Sequence, residues 1–161
     1  MDESDLRAVE AGVDAVKDFD LRLAEDAGGV LRIVGRLGDE AIQLQVRRDL
    51  EPAAENDVRF VAGALADMRR LLHAVRSGEQ LSPDEITAIE SRAEAASPGP
   101  WTAFIEADGG QAGCDVIRVS ERDDQPDMYL WIGADLAPSR MFRLIAAARQ
   151  DVPALLTLVQ R

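Results

Sequence analysis

Apolar residues recur at helical spacing in four stretches of the chain. The two long stretches, residues 59–76 and 143–160, each place their apolar side chains on one stripe of a helix. The two shorter stretches, residues 5–17 and 85–96, do the same with Leu, Val, Ile and Ala. The pattern therefore predicts a short helix and then a long helix in each half of the chain.

The two long stretches also match each other position by position. Seven pairs are identical at a separation of 84 positions: Arg59/Arg143, Ala62/Ala146, Ala64/Ala148, Asp67/Asp151, Leu71/Leu155, Leu72/Leu156 and Val75/Val159. The shorter helices match more loosely, and the order of elements is the same in both halves. We interpret the match as an internal duplication, so the sequence predicts two copies of one structural unit.

Between the helices of each half, short runs with alternating apolar residues are bounded by Gly, Asp and Pro. These boundaries predict turns at residues 27–29, 38–39, 108–110 and 123–126. The runs predict strands at residues 20–25, 30–37, 40–47, 101–107, 114–120 and 127–133.

The predicted fold class is α+β, built from two related units. Residues 1–78 and residues 79–161 are each expected to form a helix, three antiparallel strands and a helix. One unit alone would bury too little surface to fold. The two are therefore expected to pack with pseudo-two-fold symmetry into one compact body.

The two long helices differ at one informative place. The first has Met68 where the second has Val152, which is followed by Pro153. Proline lacks a backbone N–H and disfavours helix in the residue before it. The sequence therefore predicts a kink or break near residues 149–152, with Asp151 capping a new helix.

The stretch AASPGPW, residues 95–101, follows the short helix of the second half. Pro98 is expected to end that helix, and Pro100 to stiffen the entry to the next strand. Trp101 then takes the place that Leu21 has in the first half. The alignment predicts a core residue at Trp101 rather than a binding residue.

Residues 88–101, AIESRAEAASPGPW, and residues 142–156, FRLIAAARQDVPALL, resemble a pattern found in small phage and prophage proteins, including Ead/Ea22-like proteins. That pattern has an A-[ST]-P-G-P-W step and a closing F-I-A-A-A-R-x-D-V-P-A-L-L helix. The resemblance covers the second half only, because the first half has KDFDL at residues 17–21 instead. It implies a mobile-element setting and brings no catalytic residue or ligand.

Charge and composition narrow the classes of function. The net charge of −12 argues against a nucleic-acid binder, whose affinity depends on cations that meet phosphates. Cys114 is the single cysteine, which excludes an internal disulfide. The chain has neither the long apolar run of a membrane span nor the start of a signal peptide. We expect a soluble, cytoplasmic protein that binds neither membranes nor nucleic acid directly.

No group of residues predicts catalysis, a cofactor or a metal ion. His73 is the single histidine and is expected at the solvent edge of a helix, and Cys114 is expected to be structural. The acidic residues Asp123, Asp124 and Asp127 lack the order of a calcium loop, so we interpret them as a solvated turn. The glycine pairs are interpreted as hairpin turns, because no Lys and Ser/Thr helix start follows them.

The recurring Asp67 and Asp151 could form a carboxylate pair for acid–base chemistry, but no second catalytic group accompanies them. A surface ion pair with Arg70 is the simpler interpretation of Asp67, and helix capping is the simpler interpretation of Asp151. These interpretations predict a structural role for both residues.

The clearest functional indication is a pair of aromatic residues in the third strand of the second half. Tyr129 and Trp131 alternate with apolar residues, so they are expected to point away from the face that carries Leu130 and Ile132. Large aromatic residues on a polar face are typical of partner surfaces. The alternative is that a helix of the other half covers them.

The leading functional hypothesis is a non-enzymatic acidic interaction protein that binds or inhibits a protein partner, with Tyr129 and Trp131 as the candidate partner surface. One alternative is a mimic of nucleic-acid charge, which requires a stripe of carboxylates. Another is an enzyme or small-molecule binder with a site between the halves, where Arg59 and Arg143 or Asp67 and Asp151 converge.

Overall fold

The structure, a computed structural model, describes residues 1–48, 51–109, 113–120 and 126–161 of the chain. The described residues form four helices, which are α1 (Glu3–Asp14), α2 (Glu55–Ser77), α3 (Pro83–Ala95) and α4 (Ser139–Val159). The strands are β1 (Phe19–Glu25), β2 (Leu31–Leu37), β3 (Glu40–Arg48), β4 (Glu51–Pro52), β5 (Thr102–Phe104), β6 (Val116–Arg118), β7 (Met128–Ile132) and β8 (Asp135–Leu136). The fold is α+β, as the sequence predicted.

The described strands form one antiparallel sheet in the order β1-β2-β3-β7-β6-β5. The short strands β4 and β8 lie off this path and pair with β3 and β7. The central contact joins the two halves of the chain, because β3 pairs with β7 and places Val46 opposite Leu130. The predicted division into residues 1–78 and 79–161 therefore runs through the middle of a continuous sheet.

The β2–β3 and β6–β7 pairs use the same strand register. Ile33 faces Leu44 in the β2–β3 pair, and Ile117 faces Met128 in the β6–β7 pair. The differences 117 − 33 and 128 − 44 are both 84, which is the separation of the matching helix residues. This strand pair and the long helices thus repeat at an interval of 84. Leu23 faces Ile33 and Ala103 faces Ile117, so β5 lies 80 positions after β1.

The two short helices, α1 and α3, begin with the same N-terminal capping arrangement. Asp2 accepts from the backbone N–H of Asp5, and the Asp5 carboxylate accepts from the N–H of Asp2. Ser82 and Glu85 form the same reciprocal pair at the start of α3. Each capping box satisfies backbone donors that the first turn of a helix leaves free.

The core lies between the helices and one face of the sheet. Helices α2 and α4 contact each other and the sheet, while α1 and α3 flank them. Among the described residues, the largest fully buried side chains are Trp101, Phe19, Phe60, Phe142, Ile33, Leu44, Leu65, Met68, Leu71, Ile117, Met128 and Leu130. Aromatic residues from both halves therefore meet in one core, and the prediction for Trp101 is confirmed.

Close packing between β1 and β2 depends on a glycine. A Cβ atom at Gly35 would lie 1.8 Å from the carbonyl oxygen of Asp20. Any other residue at Gly35 would force the two strands apart.

The predicted break in the last helix is wrong. Helix α4 continues from Ser139 to Val159 with Pro153 inside it, so Asp151 caps no new helix. Proline removes one backbone hydrogen bond. Val152 and Leu155 on either side of it are completely buried, and this packing holds the turn in place.

Candidate functional site

The face of the sheet that points away from the helices is exposed at about half of its strand positions, although Val116 on it is buried. Strand register places on it Asp20, Arg22, Ala24, Arg32, Val34, Arg36, Ala41, Gln43, Gln45, Arg47, Thr102, Phe104, Val116, Arg118, Tyr129 and Trp131. We call this set the open face. Its members alternate with the core residues along each strand, because successive side chains point to opposite sides of a sheet.

The two predicted aromatic residues lie near the centre of the open face. Trp131 is directly opposite Gln45, and Tyr129 is directly opposite Arg47 in the β3–β7 pair. Both aromatic side chains are half-buried, so neither is covered completely. Their assignment as a partner surface stays a prediction.

Arginine is the dominant charged residue of the open face. The described strands place five arginines there against one acid: Arg22, Arg32, Arg36, Arg47 and Arg118, with Asp20. All five are exposed. Sequence reasoning missed this set, because its members come from four strands and only the sheet order brings them together.

These arginines make few strong pairings within the described part of the chain. Arg32 pairs with Asp26 at 3.1 Å, Arg118 lies 3.8 Å from Asp127, and Arg47 donates to the side chain of Gln45. The Arg118 guanidinium also lies 4.6 Å from the centroid of the Phe104 ring. The open face thus combines guanidinium groups with aromatic rings.

The two flanking helices carry more acidic than basic residues. Helices α1 and α3 each carry four acidic residues and one arginine. Several of these acids are paired, because Arg76 of α2 bonds both Glu3 and Glu10. The Arg76 hydrogen bond holds the pKa of each of these two carboxyls below its usual value. The flanking helices α1 and α3 are therefore acidic, whereas α2 and α4 each carry more arginines than acidic residues and the open face is cationic.

A second polar cluster surrounds the SPGPW stretch inside the protein. Ser97 donates from both its backbone N–H and its hydroxyl to Asp57, a completely buried carboxylate, at 2.7 Å each. The Ser97 carbonyl oxygen accepts from Trp101 and from Arg149. Burial lowers the pKa of Arg149 from its usual value. These partners fix the stretch to α2 and α4, which fits a structural role.

The prediction for Asp67 is wrong in its partner. Asp67 is 7% exposed and accepts two hydrogen bonds from Arg92 of α3, at 2.6 and 3.0 Å. Arg70 instead pairs with Glu79 and Glu85. Helix α3 packs against α2, and this packing brings Arg92 closer to Asp67 than the neighbouring turn brings Arg70.

The recurring residues do not converge between the halves. Arg59 and Asp67 line one pocket of about 340 Å³, whereas Arg143 and Asp151 line a different groove of about 540 Å³. The structure therefore contradicts a shared site built from these four side chains.

The remaining candidate residues occupy ordinary positions. The His73 side chain is 64% exposed on α2, 3.2 Å from Glu79, as expected for a residue at the solvent edge. Cys114 is a half-buried free thiol that precedes β6. Asp123 and Asp124 lie outside the described residues. Within the described ranges, no group of three or more His, Cys, Asp or Glu side chains could hold a metal ion.

Comparison with protein-family models, with curated proteins and with solved structures found no match to this chain. In the part of the chain that the structure describes, no helix is both long and apolar enough to cross a bilayer.

Proposed function

We propose that this protein is a non-enzymatic interaction protein whose open face binds an acidic segment of a protein partner. The observation that carries the proposal is the placement of Tyr129 and Trp131 among exposed arginines, on the sheet face opposite the described helices. Aromatic residues and arginine are the residue types that contribute most to binding energy at protein interfaces. Binding of this kind would inhibit or recruit the partner without catalysing a reaction.

The charge of the open face supports an acidic occupant. Five arginines face solvent there and one aspartate accompanies them, so a carboxylate-rich segment would find bidentate partners. Arg22 has no hydrogen bond or ion pair with any described residue, which leaves its guanidinium available. The acidic helices lie on the other side of the sheet, beyond a layer of apolar core.

A polypeptide is favoured over a nucleic acid for two reasons. The net charge of −12 repels a long polyanion, which extends past the open face toward the acidic helices. Single-stranded nucleic acid also needs aromatic faces that bases can stack on, whereas Tyr129 and Trp131 are half-buried. A short acidic segment needs only the open face itself.

We also propose that the two halves arose by duplication and are related by a pseudo-two-fold axis between β3 and β7. Support comes from the order of elements, the separation of 84 shared by the long helices and the β2–β3 and β6–β7 pairs, and the two capping boxes. A phage or prophage origin and a cytoplasmic location stay predictions from the sequence.

The partner proposal can be tested by photo-crosslinking in the native host. A photoreactive amino acid at Gln45, opposite Trp131, should capture a partner segment, whereas the same group at the exposed His73 on α2 should not. The captured segment would then be synthesised and titrated against the purified protein. We expect it to be rich in Asp and Glu, and its affinity to fall with added salt.

Two variants and a matched control assign the binding to the open face. Trp131→Ser and Arg47→Glu should each weaken binding at least about tenfold, while Arg7→Glu on the helical side should change it less than about twofold. Circular dichroism checks that each variant is folded. Capture of a nucleic acid, or equal binding by all three variants, would contradict the proposal.

A further inference from the structure

The two long helices each pack against a short helix, and the two contacts occupy equivalent places. Helix α2 contacts α3, and α4 contacts α1. Asp67 of α2 and Asp151 of α4 are separated by 84 positions, while Gly12 of α1 and Arg92 of α3 are separated by 80, as are the two capping boxes. The two contacts can therefore be compared residue by residue.

Two arginine side chains fill the contact between α2 and α3. Arg92 makes its paired hydrogen bonds to Asp67 and lies over Gly63, where a Cβ atom would come within 2.9 Å of the Arg92 Nε atom. Arg70 crosses the same contact and donates to Glu85 at 2.9 Å. Two guanidinium groups thus fill the space between these helices.

The α1–α4 contact lacks both arginines. Gly12 stands at the position of Arg92, with nothing within 4 Å of the place where its Cβ would be. Ala154 stands at the position of Arg70, again 84 positions apart. In their place is a groove of about 540 Å³, with Met68 among its lining residues.

The groove has acidic residues at the positions equivalent to Asp67 and Glu85, but it lacks the arginines that pair with them in the α2–α3 contact. Asp151 lines the groove and makes no hydrogen bond or ion pair with any described residue. Asp5, the counterpart of Glu85, also lines it. Burial, and after it the charge of Asp5, raises the pKa of Asp151 above its usual value.

The basic residues at the edge of the groove are already paired. Arg140 bonds Asp18 at 2.7 Å, and Arg143 bonds Asp108 at 2.6 Å. Neither of these arginines neutralises Asp151 in the structure. The groove thus has two carboxylates, Asp5 and Asp151, among largely apolar walls.

We propose that the α1–α4 groove binds an arginine side chain of a partner polypeptide, whose guanidinium group pairs with Asp151 as Arg92 pairs with Asp67. The inference rests on the proposed role in partner binding and on the equivalence of the two halves. A polypeptide fits better than a free small cation, because the groove extends along α1 from Asp5 to Ala15, about 15 Å. The net charge of −12 attracts a basic partner to this side.

The geometry is tested first within the protein. Gly12→Arg should rebuild the pair with Asp151 and raise the melting temperature by about 2–4 °C relative to Gly12→Gln, which has similar helix propensity. The gain should vanish in an Asp151→Asn background, because this double-mutant cycle isolates the pair. An equal difference between the two Gly12 variants in both backgrounds would overturn the proposal.

Binding is tested next with defined probes. The full-length protein labelled with ¹⁵N would be titrated with a short alanine–leucine peptide that contains one arginine, and with the same peptide carrying neutral citrulline. We expect signals of Gly12, Ala147 and Asp151 to move, and the citrulline peptide to bind about tenfold more weakly. Gly12→Arg and Asp151→Asn should each remove the difference.

The remaining outcomes are also decisive. Equal binding of the arginine and citrulline peptides would overturn a guanidinium site. Agmatine binding as tightly as the arginine peptide would overturn a polypeptide site and indicate one for a free small cation. Arg47→Glu on the open face should leave peptide binding in the groove unchanged, so failure of the open-face proposal and failure of this one give different results.

Discussion

Trp101 lies edge-on against Phe60, with ring centroids 5.5 Å apart and ring planes at 82°. The indole Nε1–H donates to the carbonyl oxygen of Ser97, so the buried ring has its polar group satisfied. This contact joins the entry to β5 to the first turns of α2. It adds a buried aromatic contact between the two halves to the hydrogen bonds from Ser97 to Asp57.

Replacing this ring should destabilise the whole protein. Trp101→Ala should lower the free energy of unfolding by about 3–5 kcal/mol, because it leaves a cavity beside Phe60. Urea denaturation measures the loss. Trp101→Phe keeps most of the apolar volume and should cost clearly less. A fully stable Trp101→Ala protein that no longer bound its partner would mean that the ring serves binding instead.

The Asp67–Arg92 pair should stabilise the packing of α3 on α2. Arg92→Leu leaves a nearly buried carboxylate without its guanidinium partner, which should cost about 1–3 kcal/mol in the free energy of unfolding. Arg7→Leu provides the matched control, because its pair with Glu3 is exposed and should contribute less than about 1 kcal/mol. Similar losses in both variants would refute the assignment.

The pH dependence of stability should reflect Glu85. Hydrogen bonds from Arg70, and then from Ser82, lower the pKa of Glu85 to about 2. A lowered folded-state pKa contributes stability above the unfolded value, near 4.5, and this contribution is lost as the pH falls toward 2. Arg70→Gln should raise the Glu85 pKa and weaken this acid dependence. Carbon-detected NMR titration of the carboxyl group measures it directly, and an unchanged pKa would exclude Arg70 as the main cause.

The proline in α4 should reduce stability although the helix is continuous. Pro153→Ala restores a backbone N–H in the helix interior and should raise the free energy of unfolding by about 1–3 kcal/mol. Pro83→Ala is the control, because proline at the first turn of α3 replaces an N–H that has no helical partner. No gain from Pro153→Ala in thermal unfolding would indicate that the backbone around residue 149 has adapted to proline.

Much of the fold could be predicted from local sequence. Ser82 and Pro83 marked the start of α3, and the apolar stripe of residues 59–76 marked α2 within a few positions. Capping and periodicity act over a few residues, so a single sequence contains them. The match between the halves also gave the place of Trp101, because a residue that replaces a buried leucine in a repeated unit is itself expected in the core.

The candidate sites were far less predictable. The exposed arginines of the open face lie on β1, β2, β3 and β6, and no local pattern relates them. The partner of Asp67 was predicted wrongly because Arg70 is three positions away along the helix, whereas Arg92 is brought there by packing. The α1–α4 groove is the space left by the small residues Gly12 and Ala154. Such a space depends on how the helices pack, which the sequence alone does not show.

The sequence by itself determined the helices, the approximate places of six strands along the chain and much of the core, because propensity, capping and apolar periodicity are local properties. It did not predict β4 and β8, and it made β5 and β6 too long. The tertiary structure decided which charges meet, which face of the sheet collects the arginines, and that α4 passes unbroken through Pro153. These depend on contacts between residues far apart in the chain, and the buried surface of Val152 and Leu155 outweighs the one hydrogen bond that proline removes.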